Sequence, residues 1–320
     1  MARKNRKSVT FLTLFSLLIS LALTSCKTVP RVHDVIRDGR LPLEPGAYAY
    51  LFAGKEALPI VGQLMFNNID NNQFQQMIDL TSFAAAAIYL IPGAKAGTSA
   101  TRYRLAAWGS YPSSRAKVAL GSSREWQKRR SAVANADYWY SSQSGYSIAL
   151  TGRRALVATA AKNEDAPDPY CAAPGTALPE GFAAFREGSI LSCWLDNPGP
   201  AINQKLKEMK IPIEIPAQRI LVGLVPADKP SADGQSPRAA GQPSADGRYT
   251  ARVQIQLPTV SQARAIAIMF SFARNMLPPK SELGILFANP PVQEGGNLNI
   301  ATSPLTAREI TLLLNVFLVK

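Results

Sequence analysis

Histidine is almost missing from this 320-residue chain, which contains one, His33. A single histidine rules out every multi-histidine metal site, and it rules out a Ser-His-Asp arrangement unless His33 supplies the base. Cysteine is scarce as well, with three residues at positions 26, 171 and 193. Charged side chains make up only 18% of the chain, but the 47% hydrophobic content and a mean hydropathy of −0.02 exclude both a wholly disordered chain and a polytopic membrane protein. The length allows about two domains or one large one. The charge that is present leans positive, 35 Lys plus Arg against 22 Asp plus Glu, for a net +13.

Four of those positive charges, Arg3, Lys4, Arg6 and Lys7, precede an apolar run from Phe11 to Leu23. The run is too short for a transmembrane helix and has the layout of an export signal. It ends in Leu23-Thr24-Ser25-Cys26, which resembles the bacterial lipobox. That resemblance implies diacylglycerol on Cys26, cleavage before it, and firm attachment through two or three acyl chains. Removal of residues 1–25 leaves 295 residues and takes four positive charges, so +13 becomes +9. Lys27 is not the aspartate associated with inner-membrane retention in enteric bacteria, a signal that transfers poorly between phyla; the expected location is the bacterial envelope, lipid-anchored at the outer membrane and facing the periplasm. Export also excludes nucleic acid as a partner, and no zinc-finger or RNP pattern is present. In an oxidising compartment the remaining pair, Cys171 and Cys193, reads as a disulfide closing a loop of about 20 residues and contributing about 3 kcal/mol. Two free buried thiols are the alternative.

Four anchors recur in the same order in the two halves. Gly46 to Phe52 leads to Pro59-Ile60, as Gly188 to Leu195 leads to Pro200 and Ile202. Ala87 to Pro92 answers Leu221 to Pro226, and Leu150 to Arg153 answers Leu305 to Arg308. Most sharply, Arg102-Tyr103 and Arg248-Tyr249 are each followed by a proline nine residues after the tyrosine, Pro112 and Pro258. Their order argues an internal duplication. Each half reads as strand-helix-strand-strand-helix-strand, an α+β plan with helices packed on antiparallel sheets. Strands are expected at 47–53, 83–91, 102–111, 189–195, 218–225 and 248–257. In the last of these, Tyr249, Ala251, Val253, Ile255 and Leu257 share one face. Phe74, Met77 and Ile78, and Ile202, Leu206 and Met209, have helical spacing. Residues 260–276 are apolar nearly all round, which predicts a helix packed into a core. Tyr138–Leu150 and Arg154–Ala158 form a hairpin about Thr151-Gly152, and Ser303-Pro304 opens a C-terminal helix. The organisation is therefore a signal at 1–25, a tether at 26–45, repeats at 46–160 and 187–320, and a linker at 161–186. A loop at 227–247, in which PSADG occurs twice, interrupts the second repeat.

The residue patterns that could carry chemistry read as structure. Gly145-Tyr146-Ser147-Ile148-Ala149 looks like a nucleophile elbow with alanine in place of its last glycine, but no body histidine exists to activate Ser147. Ser114 and Lys117 match S-x-x-K without its companion motifs, so a solvated helix start is favoured. Gly54-Lys55 lacks the preceding glycine of a phosphate loop. Glu164, Asp165 and Asp168 are the dense acidic group, in a proline-rich linker with no fixed separation. Trp126, Trp139 and Trp194, with Tyr138, Tyr140 and Tyr146, fit core packing better than a ligand groove. Lys128-Arg129-Arg130 is the densest basic cluster and reads as solvated surface. No catalytic residue, metal ligand or cofactor is assigned.

The lipobox, the apolar helices and the doubled α+β body together resemble spirochaetal outer-membrane-associated lipoproteins of the treponemal type. That resemblance implies amphipathic helices that open onto lipid or insert into a membrane leaflet, with 56–80 and 259–276 as the stretches to watch. The expected function is a non-enzymatic, membrane-anchored lipoprotein that binds lipid or inserts peripherally, with membrane lipids as partners. The alternative is an envelope or surface module that holds a protein partner.

Overall fold

The computed structural model describes residues 40–41, 43, 45–60, 79–90, 101–130, 137–143, 145–151, 154–159, 176–177, 181–208, 214–227, 247–276 and 289–310. Residues 1–39 with Cys26, Phe74 to Ile78, the acidic group at 164–168, Cys171 and loop residues 228–246 lie outside that set. The chain forms two compact units, one of residues 1–47 and 52–178, the other of residues 48–51 and 179–320.

In the first unit β1 (Arg40–Leu41) pairs antiparallel with β9 (Thr176–Ala177), so residues expected in the tether and the linker form a small ladder. The unit's main sheet contains the last residues, 52–54, of β2 (Ala49–Gly54), whose first residues fall in the second unit, then β3 (Thr81–Leu90), β4 (Thr101–Gly109), β5 (Gln127–Arg130), β6 (Asp137–Ser141), β7 (Tyr146–Thr151) and β8 (Arg154–Thr159), in the order β2-β3-β4-β8-β7-β6-β5. Along β3, Phe83, Ala85, Ala87 and Tyr89 are buried while the residues between them are half-buried, the period-2 alternation of a sheet with one well-covered face. Phe83 sits opposite Trp108 on β4, with ring centroids 5.5 Å apart, and Phe52 lies 6.3 Å from Phe83. Gly109 is the close approach: a Cβ there would overlap the Leu80 carbonyl oxygen, and the next residue, Ser110, donates its N–H to that oxygen at 2.8 Å. Pro112 opens helix α1 (Ser113–Ser122), as its spacing predicts. Ala116 and Leu120 of α1 pack with Trp126 against Trp139, Ile148 and Leu150 on β6 and β7. Leu120, Ile148 and Leu150 each contribute about 1.5–3 kcal/mol on burial.

The second unit opens with α2 (Phe182–Arg186), in what the sequence suggested was linker. There follow β10 (Leu191–Asp196), α3 (Gly199–Glu208), β11 (Arg219–Pro226), β12 (Arg248–Gln256), α4 (Val260–Met276), β13 (Val292–Glu294), β14 (Asn297–Ala301) and β15 (Leu305–Thr306). The strands run β10-β11-β12-β14-β13, with β15 beside β12. Leu191 to Leu195 are all buried, the pattern of a strand covered on both faces. Trp194 lies 4.4 Å from Tyr50 and 5.1 Å edge-on from Phe182, and its indole N–H donates to Asp196 at 3.1 Å. On β12 the face expected from alternation is the buried one: Tyr249, Ala251, Val253, Ile255 and the following Leu257 are each 8% exposed or less. Val253 and Ile255 meet Ile300 and Leu298 of β14.

Both units place three neighbouring strands in chain order, follow the third with a helix, and return from the far edge of the sheet. The plan is common, but the ladders are not superimposable on the sequence anchors. Pro226 pairs with Tyr249, whereas Tyr103 pairs with Ile88, four residues short of Pro92. Two further expectations are corrected. The last helix opens at Ala307 and not at Ser303, because Leu305 and Thr306 are taken up pairing with Tyr249 and Arg248. And α4 is not enclosed: Val260, Ile268 and Phe272 are exposed.

Candidate functional site

Helix α4 begins where a threonine can cap it. Thr259 Oγ1 accepts the Gln262 backbone N–H at 3.2 Å and donates to the Gln262 side-chain carbonyl at 3.1 Å. Ser271 Oγ donates back to the Ala267 carbonyl at 2.9 Å, and Arg274 stands in the last turn, where the helix dipole favours a cation. The helix packs on β13 and β14 through a face that includes the buried Ala263 and Ile266. The opposite face carries Arg264, Ala265, Ile268, Ser271, Phe272 and Asn275, all exposed. Ile268 is 64% and Phe272 67% exposed, and a spacing of four residues stacks them on adjacent turns. The helix contains Arg264 and Arg274 and no acidic residue. An outward face with a large aliphatic and a large aromatic side chain, flanked by Arg264 and by the small or neutral Ala265, Ser271 and Asn275 with no acid on the helix, suits an apolar medium next to an anionic one.

The other sequence candidates resolve into structure. Ser147 is fully buried in β7, its hydroxyl enclosed without a hydrogen-bond partner among the described residues, so it is no accessible nucleophile. Ser114 and Lys117 are both exposed on α1. Lys55, exposed, starts a 3₁₀ turn after β2. Trp126, Trp139 and Trp194 are 5%, 3% and 1% exposed and belong to the two cores, and Tyr146 packs against the first.

The disulfide expected between Cys171 and Cys193 involves Cys171, outside the described residues, and among the described residues no disulfide is seen. Cys193 is a free thiol in the middle of β10, and burial pushes its pKa up to about 12. Burial is also the first cause of the raised Tyr48 hydroxyl, with the neighbouring Cys193 second. Tyr111 is pushed up to about 12 by burial, partly offset by its 2.7 Å hydrogen bond with Thr81. These groups stay neutral near neutral pH and serve packing. Among the described residues no helix is long and apolar enough to cross a membrane.

Two units of antiparallel sheet with few helices define a mixed α+β protein. The same fold occurs in TP0453, a Treponema pallidum protein. Its crystal form III matches with a TM-score of 0.55 at 16% identity, over 86% of this chain and 96% of that one. Crystal form IV matches at 0.54 and 16%, over 90% and 97%. No family model and no curated protein sequence matches this chain.

Proposed function

We propose that this chain is a non-enzymatic lipoprotein of the bacterial envelope, held to a membrane by acyl chains on Cys26 and engaging lipid peripherally through α4. The observation that carries the reading is the outward pair Ile268 and Phe272 on a helix without a single acidic residue. Soluble domains seldom leave two large apolar side chains stacked on adjacent turns in water unless the patch meets another apolar surface. The signal-like run before Cys26 and the fold shared with a treponemal protein support the envelope setting.

The test is flotation and dye leakage with phosphatidylcholine vesicles, using the non-acylated mature chain, residues 26–320 with Cys26→Ser. Lipid engagement through α4 predicts flotation that survives high salt, since apolar insertion is not screened. Complete absence from the lipid fraction would overturn the reading. In that case, recovery of one stoichiometric envelope protein on the same chain would assign α4 to a protein contact.

A further inference from the structure

In sequence, Lys128, Arg129 and Arg130 form a short basic run; in the structure they are part of a larger surface. Residues 113–130 contain six cations, Arg115, Lys117, Arg124, Lys128, Arg129 and Arg130, against one acid, Glu125. That acid is engaged, accepting the hydroxyl of the buried Ser141 at 3.0 Å. Helix α1 packs beside β5, which brings Lys117 toward the strand. Lys117, Arg124, Lys128 and Arg130 are exposed, and Arg129 lies 4.3 Å over the Tyr140 ring. Asp137 pairs with Lys128 at 2.8 Å, and the Lys128 hydrogen bond, followed by the fields of Lys128, Arg130 and Lys117, holds its carboxyl below the usual range. Three cations from two elements therefore converge on one carboxylate. Beside Lys117, Val118 is 73% exposed.

Cations on an edge strand guard it against pairing with other chains, and β5 is the edge of its unit's sheet. That explanation covers Lys128 to Arg130. It does not cover Lys117 and Arg124, which stand on the helix and the turn.

We propose that the face formed by α1, the turn at 123–126 and β5 docks on a bilayer surface of anionic phospholipid, its cations meeting headgroup phosphates and Val118 reaching the acyl boundary. The proposal rests on the peripheral-membrane reading above, but engages a different part of the chain through a different force. Charge complementarity selects the occupant: a juxtamembrane cation adds about a fivefold factor to partitioning onto an anionic surface.

The test compares the non-acylated mature chain on phosphatidylcholine vesicles with and without phosphatidylglycerol, at low and high salt. The quantity read is the extra affinity that phosphatidylglycerol confers. Lys117→Gln, Arg124→Gln and Arg130→Gln together should reduce that increment by about 100-fold, and high salt should abolish it. A matched trio on the second unit, Arg248→Gln, Arg252→Gln and Arg308→Gln, removes the same charge and should leave most of it. Equal losses from the two trios, or an increment that survives the first, would overturn the proposal. If the triple variant fails to fold, Lys117→Gln and Arg124→Gln singly should each lower the increment about fivefold, and no loss from either is equally decisive. Absent binding to neutral vesicles, with a patch-dependent increment retained, would refute insertion of α4 and leave this surface standing.

Discussion

Serine at both Ile268 and Phe272 separates what α4 does for the fold from what it does at a membrane. The two side chains are 64% and 67% exposed, so roughly a third of each is already withdrawn from water by the protein. Full burial of an Ile or Phe side chain is worth about 1.5–3 kcal/mol, so the loss to folding is about 0.5–1 kcal/mol per residue. The remaining two thirds is the share lipid can take up, about 1–2 kcal/mol each and about 2–4 kcal/mol together. That corresponds to a 30- to 1,000-fold weaker partition coefficient, at about 1.4 kcal/mol per factor of ten. The assay is co-sedimentation of the non-acylated mature chain with phosphatidylcholine vesicles over a lipid titration, with thermal unfolding monitored in parallel. A change of less than about threefold in partitioning, with unfolding undisturbed, would refute the assignment of this face to lipid. A collapse of thermal stability would refute the partition of roles between core and membrane.

Three further perturbations probe the frame that presents these surfaces. Gly109→Ala forces a Cβ onto the Leu80 carbonyl, so backbone must move; a loss of at least about 1–3 kcal/mol in denaturant unfolding is expected, and a neutral result would contradict the close approach. Thr306 and Glu309 form a capping box, Thr306 N–H and Oγ1 donating to the carboxylate at 2.7 and 2.8 Å, while the Glu309 N–H donates to Thr306 Oγ1 at 3.4 Å. Thr306→Ala should cost about 1 kcal/mol. The Thr306 backbone and hydroxyl hold the Glu309 carboxyl below its ordinary value, so its contribution is present above about pH 4.3 and fades as pH falls through the lowered value; Glu309→Gln should remove that acid dependence from the unfolding midpoint. Cys193, with Cys26 and Cys171 replaced by serine, should resist maleimide at pH 8 until the chain is unfolded, because both access and thiolate are missing. Fast labelling of the folded chain would sink that description.

Where local chemistry decides the structure, the sequence is a reliable guide. Pro112 and Pro258 announce helices that begin at Ser113 and Val260, and strict alternation from Tyr249 to Leu257 identifies the buried side of β12. Strand β5 was not legible, because Gln127 to Arg130 is polar throughout and becomes a strand by pairing with β6. The capping box at Thr306 could be read from its T-x-x-E spacing, but Ser303-Pro304 mimics a helix start and the pairing of β15 decides against it. For α4 the apolar count predicts enclosure; which face is left uncovered depends on where β13 and β14 lie, and no periodicity encodes that. The basic surface was hidden for a similar reason. Lys117 stands eleven residues before Lys128, and packing of a helix beside an edge strand joins them. The pairing of Cys171 with Cys193 follows a rule of compartment, and Cys171 lies outside the described residues; what the fold adds is that Cys193 is buried in the middle of β10.

The direct test of the central claim is the depth of α4 in a bilayer. All four tryptophans of the chain, Trp108, Trp126, Trp139 and Trp194, are 9% exposed or less, so Phe272→Trp adds a single exposed reporter. On phosphatidylcholine vesicles containing lipids brominated along the acyl chain, the account predicts a blue shift of that reporter. It also predicts quenching strongest at the shallow bromine positions, as for a helix lying about 5–10 Å into the interface. A reporter that keeps its water-exposed spectrum and escapes every bromine at saturating lipid would contradict the account.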